Sequence, residues 1–295
     1  MSVVHEMLCQ LEDKGSLETA PWQGSAQQDG NNGLFVFDLP KEILNDFYGL
    51  KEYIRIANRG GNVRVLSITS SLYGEGASTI ATFLSFLMAG GLVKEPAVPP
   101  VPGPSQSLFT DSLRALVNQK KADNVVPMDE MLNDKSTRND ILLIDANLQN
   151  PGLHRYFGLA QEKGLGEIIE QNQDWREYTR RVDNSNLRII TAGTAQSKSI
   201  ELLSSDRFRT LVRQWRNAFK YVIIDTPPVL ASVESLSIAS VSDGVVLIVC
   251  AGQTRWESAQ DAKLRLMSAK ANVLGVALNR RKMDIPDGLY KRLVS

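Results

Sequence analysis

Residues 63–89 read VRVLSITSSLYGEGASTIATFLSFLMA, and no other stretch of the chain constrains the fold as tightly. An apolar run of strand length enters a turn holding Gly74 and Gly76, and the turn opens into an apolar run of helix length. Such a turn aims the first backbone N–H groups of the helix at whatever the turn encloses, and an anion is what they bind. The phosphate-binding loop of nucleotide enzymes has this form and ends in Gly-Lys-Ser/Thr. Here the ending is Gly76-Ala77-Ser78-Thr79, without the lysine. Gly74, Glu75, Gly76, Ala77, Ser78 and Thr79 are therefore the candidate nucleotide-binding residues, and the Ser78 hydroxyl is a candidate Mg²⁺ ligand. The same pattern also suits a strand–turn–helix that holds no ligand, so the loop alone decides nothing.

The rest of the chain supplies the context. Strand patterns fall at 141–145, 187–191, 221–225, 245–250 and 273–278, most of them near-continuous apolar runs. Helical patterns fall at 39–57, 79–89, 165–171, 206–219, 233–241 and 257–270. Alternation of this kind predicts a doubly wound α/β domain: a mostly parallel sheet in a three-layer α/β/α sandwich, like that of P-loop NTPases. Residues 1–34 read as a flexible polar tail, with one short amphipathic stretch from Val4 to Leu11. Residues 93–138 hold six of the twelve prolines, beginning EPAVPPVPGP, and read as an insertion with at most one short helix near Phe109–Val117. The domain itself is expected at 35–92 plus 139–295.

Charge and composition narrow the function. The 33 basic and 33 acidic side chains cancel, which leaves no global field for nucleic acid. No apolar run is long enough to span a membrane, and the N-terminus lacks the basic and apolar blocks of a signal peptide. Cys9 and Cys250 are far apart, and His5 and His154 stand alone, so no metal-ligand spacing is present. These features predict a cytoplasmic protein.

Two carboxylates join the loop. ILLIDANLQNPGLH places Asp145 at the end of one strand, and YVIIDTPP places Asp225 at the end of another. At the carboxyl edge of a doubly wound sheet both face the loop, where a carboxylate can hold Mg²⁺ or take a proton from an attacking hydroxyl. Asp145 and Asp225 are thus the candidate catalytic and metal-binding residues. Asn279 follows the last strand in LGVALNRR; its amide suits the edge of an adenine, and it equally suits a turn.

The series SITSSLYGEGAST, LLIDANLQNPGLH, ELLSSDRF, YVIIDTPPVL, SDGVVLIVCAGQTR and LGVALNRR resembles the cytoplasmic domain of the bacterial tyrosine kinases of capsule and exopolysaccharide synthesis. The wider partition and cell-division ATPases share the loop and the aspartates but not ELLSSDRF or IDTPPVL. The resemblance covers roughly residues 42–92 and 139–295. It implies that the loop binds ATP or ADP with Mg²⁺, that Asp145 and Asp225 manage the metal and the attacking tyrosine, and that Asn279 contacts adenine. It also implies a membrane polysaccharide co-polymerase or a related kinase as partner, at the inner face of the membrane, and a possible homo-oligomer.

The departures from that family are consistent in direction. Ala77 replaces the phosphate lysine, and Asn147 replaces the second aspartate of an Asp-x-Asp pair. The helix before the loop offers Asp46, Gly49 and Glu52 where ring assembly uses a glutamate and two arginines. Tyr290 stands by itself where the active kinases carry a tyrosine cluster. The expectation is a pseudokinase-like protein that binds nucleotide weakly or not at all and acts as a regulatory partner. The alternatives are an autokinase or ATPase with a replacement cation, from Lys51, Arg59, Arg64 or a partner, and a partition-type positioning ATPase.

Overall fold

The computed structural model describes residues 37–38, 41–58, 63–90, 93–94, 140–182, 185–194 and 198–280. The expected N-terminal tail, nearly all of the insertion, Arg59 and Tyr290 lie outside the described residues.

Nine strands and eight α-helices are described. The strands are β1 (Phe37–Asp38), β2 (Val65–Ser70), β3 (Val93–Lys94), β4 (Ile141–Asp145), β5 (Arg180–Arg181), β6 (Leu187–Ile190), β7 (Tyr221–Asp225), β8 (Gly244–Cys250) and β9 (Val273–Asn279). The helices are α1 (Lys41–Ala57), α2 (Ala77–Met88), α3 (Leu153–Tyr156), α4 (Leu165–Glu170), α5 (Ser199–Ser204), α6 (Asp206–Ala218), α7 (Glu234–Val241) and α8 (Trp256–Ser268). Seven strands form one sheet in the order β5-β6-β4-β7-β2-β8-β9, parallel throughout except for β5, which runs antiparallel to β6. The short strands β1 and β3 pair with each other in parallel.

The strand residues sort by parity. Leu66, Ile68, Leu143, Ile223, Val246 and Ile248 pack beneath α1, α2 and α3 on one face of the sheet. Leu142, Ile144, Val222 and Ile224 face Phe208, Leu211 and Trp215 of α6 on the other. Both faces are covered over the interior strands, so most of their positions are apolar, and β2, β4 and β8 are buried along their whole length, Ser67, Thr69 and Ser70 of β2 included. Val245, Leu247 and Val249 close the second face against Ala262 and Leu266 of α8. This is the doubly wound, three-layer α/β/α architecture expected from the alternation of strands and helices.

Some elements were not legible. The edge strand β5, the one-turn helix α3 and the six-residue α5 are too short to show a period. The helix expected at 79–89 begins two residues earlier, at Ala77, because the Gly76 backbone (φ 88°) ends the turn and starts the helix directly.

One carboxylate sets the entry to β2. Asp243 Oδ2 accepts from the backbone N–H groups of Arg64 (2.8 Å) and Val65 (2.9 Å) and from Arg216 Nε (3.1 Å). We expect Asp243→Ala to lower unfolding stability by about 1.5–3 kcal/mol, since it removes charge-assisted bonds at the central strand. Asp243→Asn, which keeps an acceptor oxygen, should lose less. Chemical denaturation of the two variants checks this.

Candidate functional site

β2 lies between β7 and β8, and its carboxyl end feeds the loop 71–76. The loop is knitted to the segment after β7: Thr226 N donates to Ile68 O (3.0 Å), Val229 N to Ser70 O (2.8 Å) and Thr69 Oγ1 to Pro227 O (2.9 Å). Glu75 turns its side chain away from the helix start. Its carboxylate accepts from Ser71 N (2.7 Å), Leu72 N (2.9 Å), the Ser71 hydroxyl and the Thr254 hydroxyl, and is almost fully buried. The acidic side chain thus braces the loop from behind. The carbonyl of the same residue accepts from Asn279 Nδ2 (2.8 Å). A Cβ on Gly76 would lie 2.3 Å from that Asn279 nitrogen, and Gly76 also holds a left-handed φ, so only glycine fits.

The first intrahelical bond of α2 runs from Ile80 N to Gly76 O (3.0 Å). The N–H groups of Ala77, Ser78 and Thr79 precede it and have no acceptor within the helix. They are open to an acceptor from outside the helix. Ala77 is buried and brings no charge there.

Asp145 and Asp225 are neighbours across the sheet, paired in register at the ends of β4 and β7. Both are buried. Asp145 is well bonded: Oδ2 accepts from Gly152 N (3.1 Å) and Leu153 N (3.0 Å), and Oδ1 from Asn147 N (3.2 Å). Its carboxylate therefore caps α3 from across the intervening loop. Burial pushes its pKa up to about 6 against the pull of those three N–H groups. Asp225 has no such support; among the described residues neither oxygen has a hydrogen-bond partner of good geometry. Burial raises its pKa well above the usual carboxylate range, the Asp145 charge raises it further, and the nearby Ser78 hydroxyl lowers it.

The remaining expected residues fall into place unevenly. Asn279 stands behind the loop, its Nδ2 on Glu75 O and its Oδ1 accepting from Arg280 N (2.9 Å). Two of the replacement cations suggested by the sequence, Lys51 and Arg64, are remote. Lys51 donates to Leu87 O at the far end of α2, ten residues or ~15 Å from the helix start. Arg64 precedes β2, at the opposite end of the strand from the loop. Neither supplies the missing charge from this position.

Two features escaped a linear reading. Tyr156 of α3 reaches back to α2, where its hydroxyl lies 2.8 Å from Thr79 Oγ1. Burial raises its pKa, and the charges of Asp225 and Asp145 add to the rise. The second feature is a cluster of polar side chains, Gln149, Ser199 and Glu234, joining the loop after β4 to the starts of α5 and α7. Gln149 Nε2 donates to Glu234 (2.7 Å) and to Ser199 Oγ (3.0 Å), and Ser199 donates to Glu234 (2.6 Å). Burial alone would raise the Glu234 pKa; the Ser199 and Ser232 hydroxyls outweigh it and hold it below the usual range. Neither feature has a periodic or motif signal, because each joins loops that are distant in sequence.

The fold is that of P-loop NTPase-like kinase domains, and the sequence similarities run to bacterial tyrosine kinases. The chain is 33% identical over 144 residues to the tyrosine-protein kinase YwqD of Bacillus subtilis, covering 49% of this chain and 61% of YwqD. It is 32% identical over 146 residues to the succinoglycan biosynthesis transport protein ExoP of Rhizobium meliloti, covering 48% of this chain and 19% of ExoP. The kinase domain of the Escherichia coli tyrosine kinase ETK superposes with a TM-score of 0.60 at 19% identity, covering 81% of this chain and 77% of that domain, and shares the fold. No protein-family model matches the chain. Its homologues are bacterial tyrosine-protein kinases associated with exopolysaccharide and capsule, and the fold is that of their P-loop domains. The matched region spans less than two thirds of YwqD and of ExoP.

Asp225 yields a test. A carboxyl whose folded pKa exceeds its unfolded value favours the protonated form, so its cost is absent in acid. The cost grows as pH rises from about 3.9, the usual aspartate value, through the raised folded value. Asp225→Asn should therefore raise the Tm at pH 8 by about 2–8 °C and give little gain at pH 4. Thermal scans at both pH values check the direction.

Proposed function

We propose that this chain is a nucleotide-binding relative of the bacterial tyrosine kinases that has lost efficient phosphoryl transfer and acts by binding. Its role would be that of a regulatory partner to a membrane polysaccharide co-polymerase or to an active kinase, at the inner face of the membrane. One observation carries the reading: the loop and its braces are in place, while Asp225 is buried beside Asp145 with no hydrogen-bond partner of good geometry and residue 77 is an alanine.

The residues present fit ATP or ADP with Mg²⁺. The unpartnered Asp225 oxygens next to the Ser78 hydroxyl suit a divalent cation, and the N–H groups of Ala77, Ser78 and Thr79 suit a phosphate chain. When bound, the Mg–nucleotide supplies the transferable phosphoryl group and part of the charge that offsets it. The chain's own residues then bind and orient. Gly74 and Gly76 let the backbone approach, and Glu75 holds the loop's shape. Asp225 faces the metal. Asp145 orders the 146–153 loop at the mouth where an acceptor hydroxyl would sit. What the site lacks is the ammonium that follows charge onto the leaving phosphate, a loss worth a hundredfold or more in rate, on the order of a few kcal/mol.

The test is a pair of measurements on the full chain and on Ala77→Lys. Saturating MgADP should raise the Tm of the native chain by about 2–5 °C and that of Ala77→Lys by more. Without added nucleotide, Ala77→Lys should already be the more stable protein, since its ammonium pairs with Asp225. The native chain should show no tyrosine autophosphorylation with MgATP. Autophosphorylation at rates typical of active relatives would overturn the reading.

A further inference from the structure

The hydroxyl side chains of α2 do not all behave alike. Thr82 Oγ1 donates to Ser78 O (2.8 Å) and Ser85 Oγ to Ala81 O (2.6 Å), the ordinary bond of a helical hydroxyl to the carbonyl four residues back. For Thr79 the residue four back is Glu75, which lies in the loop before the helix, its carbonyl bonded to Asn279 Nδ2 at 2.8 Å, so no helical carbonyl stands there. Thr79 turns instead to Tyr156, at 2.8 Å. The tyrosine is held there from two sides. Its ring packs against the core beneath α2, and its helix is anchored through Gly152 N and Leu153 N to Asp145. Burial keeps the phenol protonated, so it serves as a neutral hydrogen-bonding group beside two carboxylates.

We propose that Tyr156 is a positioning residue of the phosphate site: it holds the Thr79 hydroxyl off the helix backbone and turned to the cradle, where that hydroxyl bonds the phosphate chain of a nucleoside diphosphate or triphosphate. The inference rests on the nucleotide-binding reading above. Where Ala77 brings no ammonium, a hydroxyl oriented in advance contributes a larger share of the anion's binding. The Asn279–Glu75 bond holds the loop that leads into Thr79 from the other side.

The experiment is calorimetric titration of MgADP into the full chain, Tyr156→Phe, Thr79→Val and the double variant, with a ligand-free thermal scan of each. Tyr156→Phe keeps the ring in the core and should weaken binding about tenfold, with the ligand-free Tm nearly unchanged. Thr79→Val reads the same contact from the other side and should weaken binding by a similar factor. The double variant should bind no more weakly than the worse single one, because both remove one bonded pair. Thr79→Ser should restore binding. A purely structural tyrosine would lower the Tm and leave the affinity alone. Native-like affinity in Tyr156→Phe, or losses that multiply in the double variant, would overturn the inference and leave the nucleotide reading standing. A native chain that does not bind MgADP would overturn both.

Discussion

The carboxylate of Glu75 is the interaction on which the carboxyl edge of the sheet depends. It is buried within the phosphate loop and bonded to two backbone N–H groups and to the hydroxyls of Ser71 and Thr254. Burying a carboxylate is costly unless its oxygens find donors, and here four donors converge on it. The result is a loop closed on itself and tied to the turn after β8, while the Glu75 carbonyl ties it to the end of β9. An acidic side chain pointing into the cradle would repel phosphate. Turned back, it fixes the Gly76 conformation from which α2 starts, and so places the N–H groups of Ala77, Ser78 and Thr79.

Against that well-satisfied loop, the two strand-end aspartates are unequal. They sit side by side in register, buried, with like charge. Asp145 is supported by three N–H groups and so organises the following loop and α3. Asp225 has only the nearby Ser78 hydroxyl, with no hydrogen bond of good geometry among the described residues. Apolar packing around β7 does not require a carboxylate there, and an uncompensated one destabilises the fold. Sites that hold a group in a disfavoured state in this way are where binding and chemistry concentrate.

Much of this was readable in advance, for a stated reason. In a sheet covered on both faces the strands must be apolar at nearly every position, so ILLID, YVIID and GVVLIVC announce themselves, and the polar residue that ends each one marks the carboxyl edge. The loop was readable because glycine at positive φ leaves a trace in sequence. Tyr156 was not readable. It lies on a single helical turn, 77 residues from Thr79, and only the docking of α3 against α2 joins them. Lys51 shows the converse: it was a candidate replacement cation, whereas the packing of α1 sets it at the far end of α2, on Leu87 O.

The sequence by itself determined the doubly wound architecture, the position of the loop and the identity of the carboxylates beside it, because apolar periodicity and glycine conformations are local properties of the chain. Only the tertiary structure decided what those groups do to one another. It turned Glu75 to the back of the loop, bound Asp145 to the start of α3, left Asp225 bare and set Tyr156 on Thr79. Each of these depends on which strands lie adjacent and which helix crosses which, and the order β4-β7-β2-β8-β9 brings together residues that no local pattern connects.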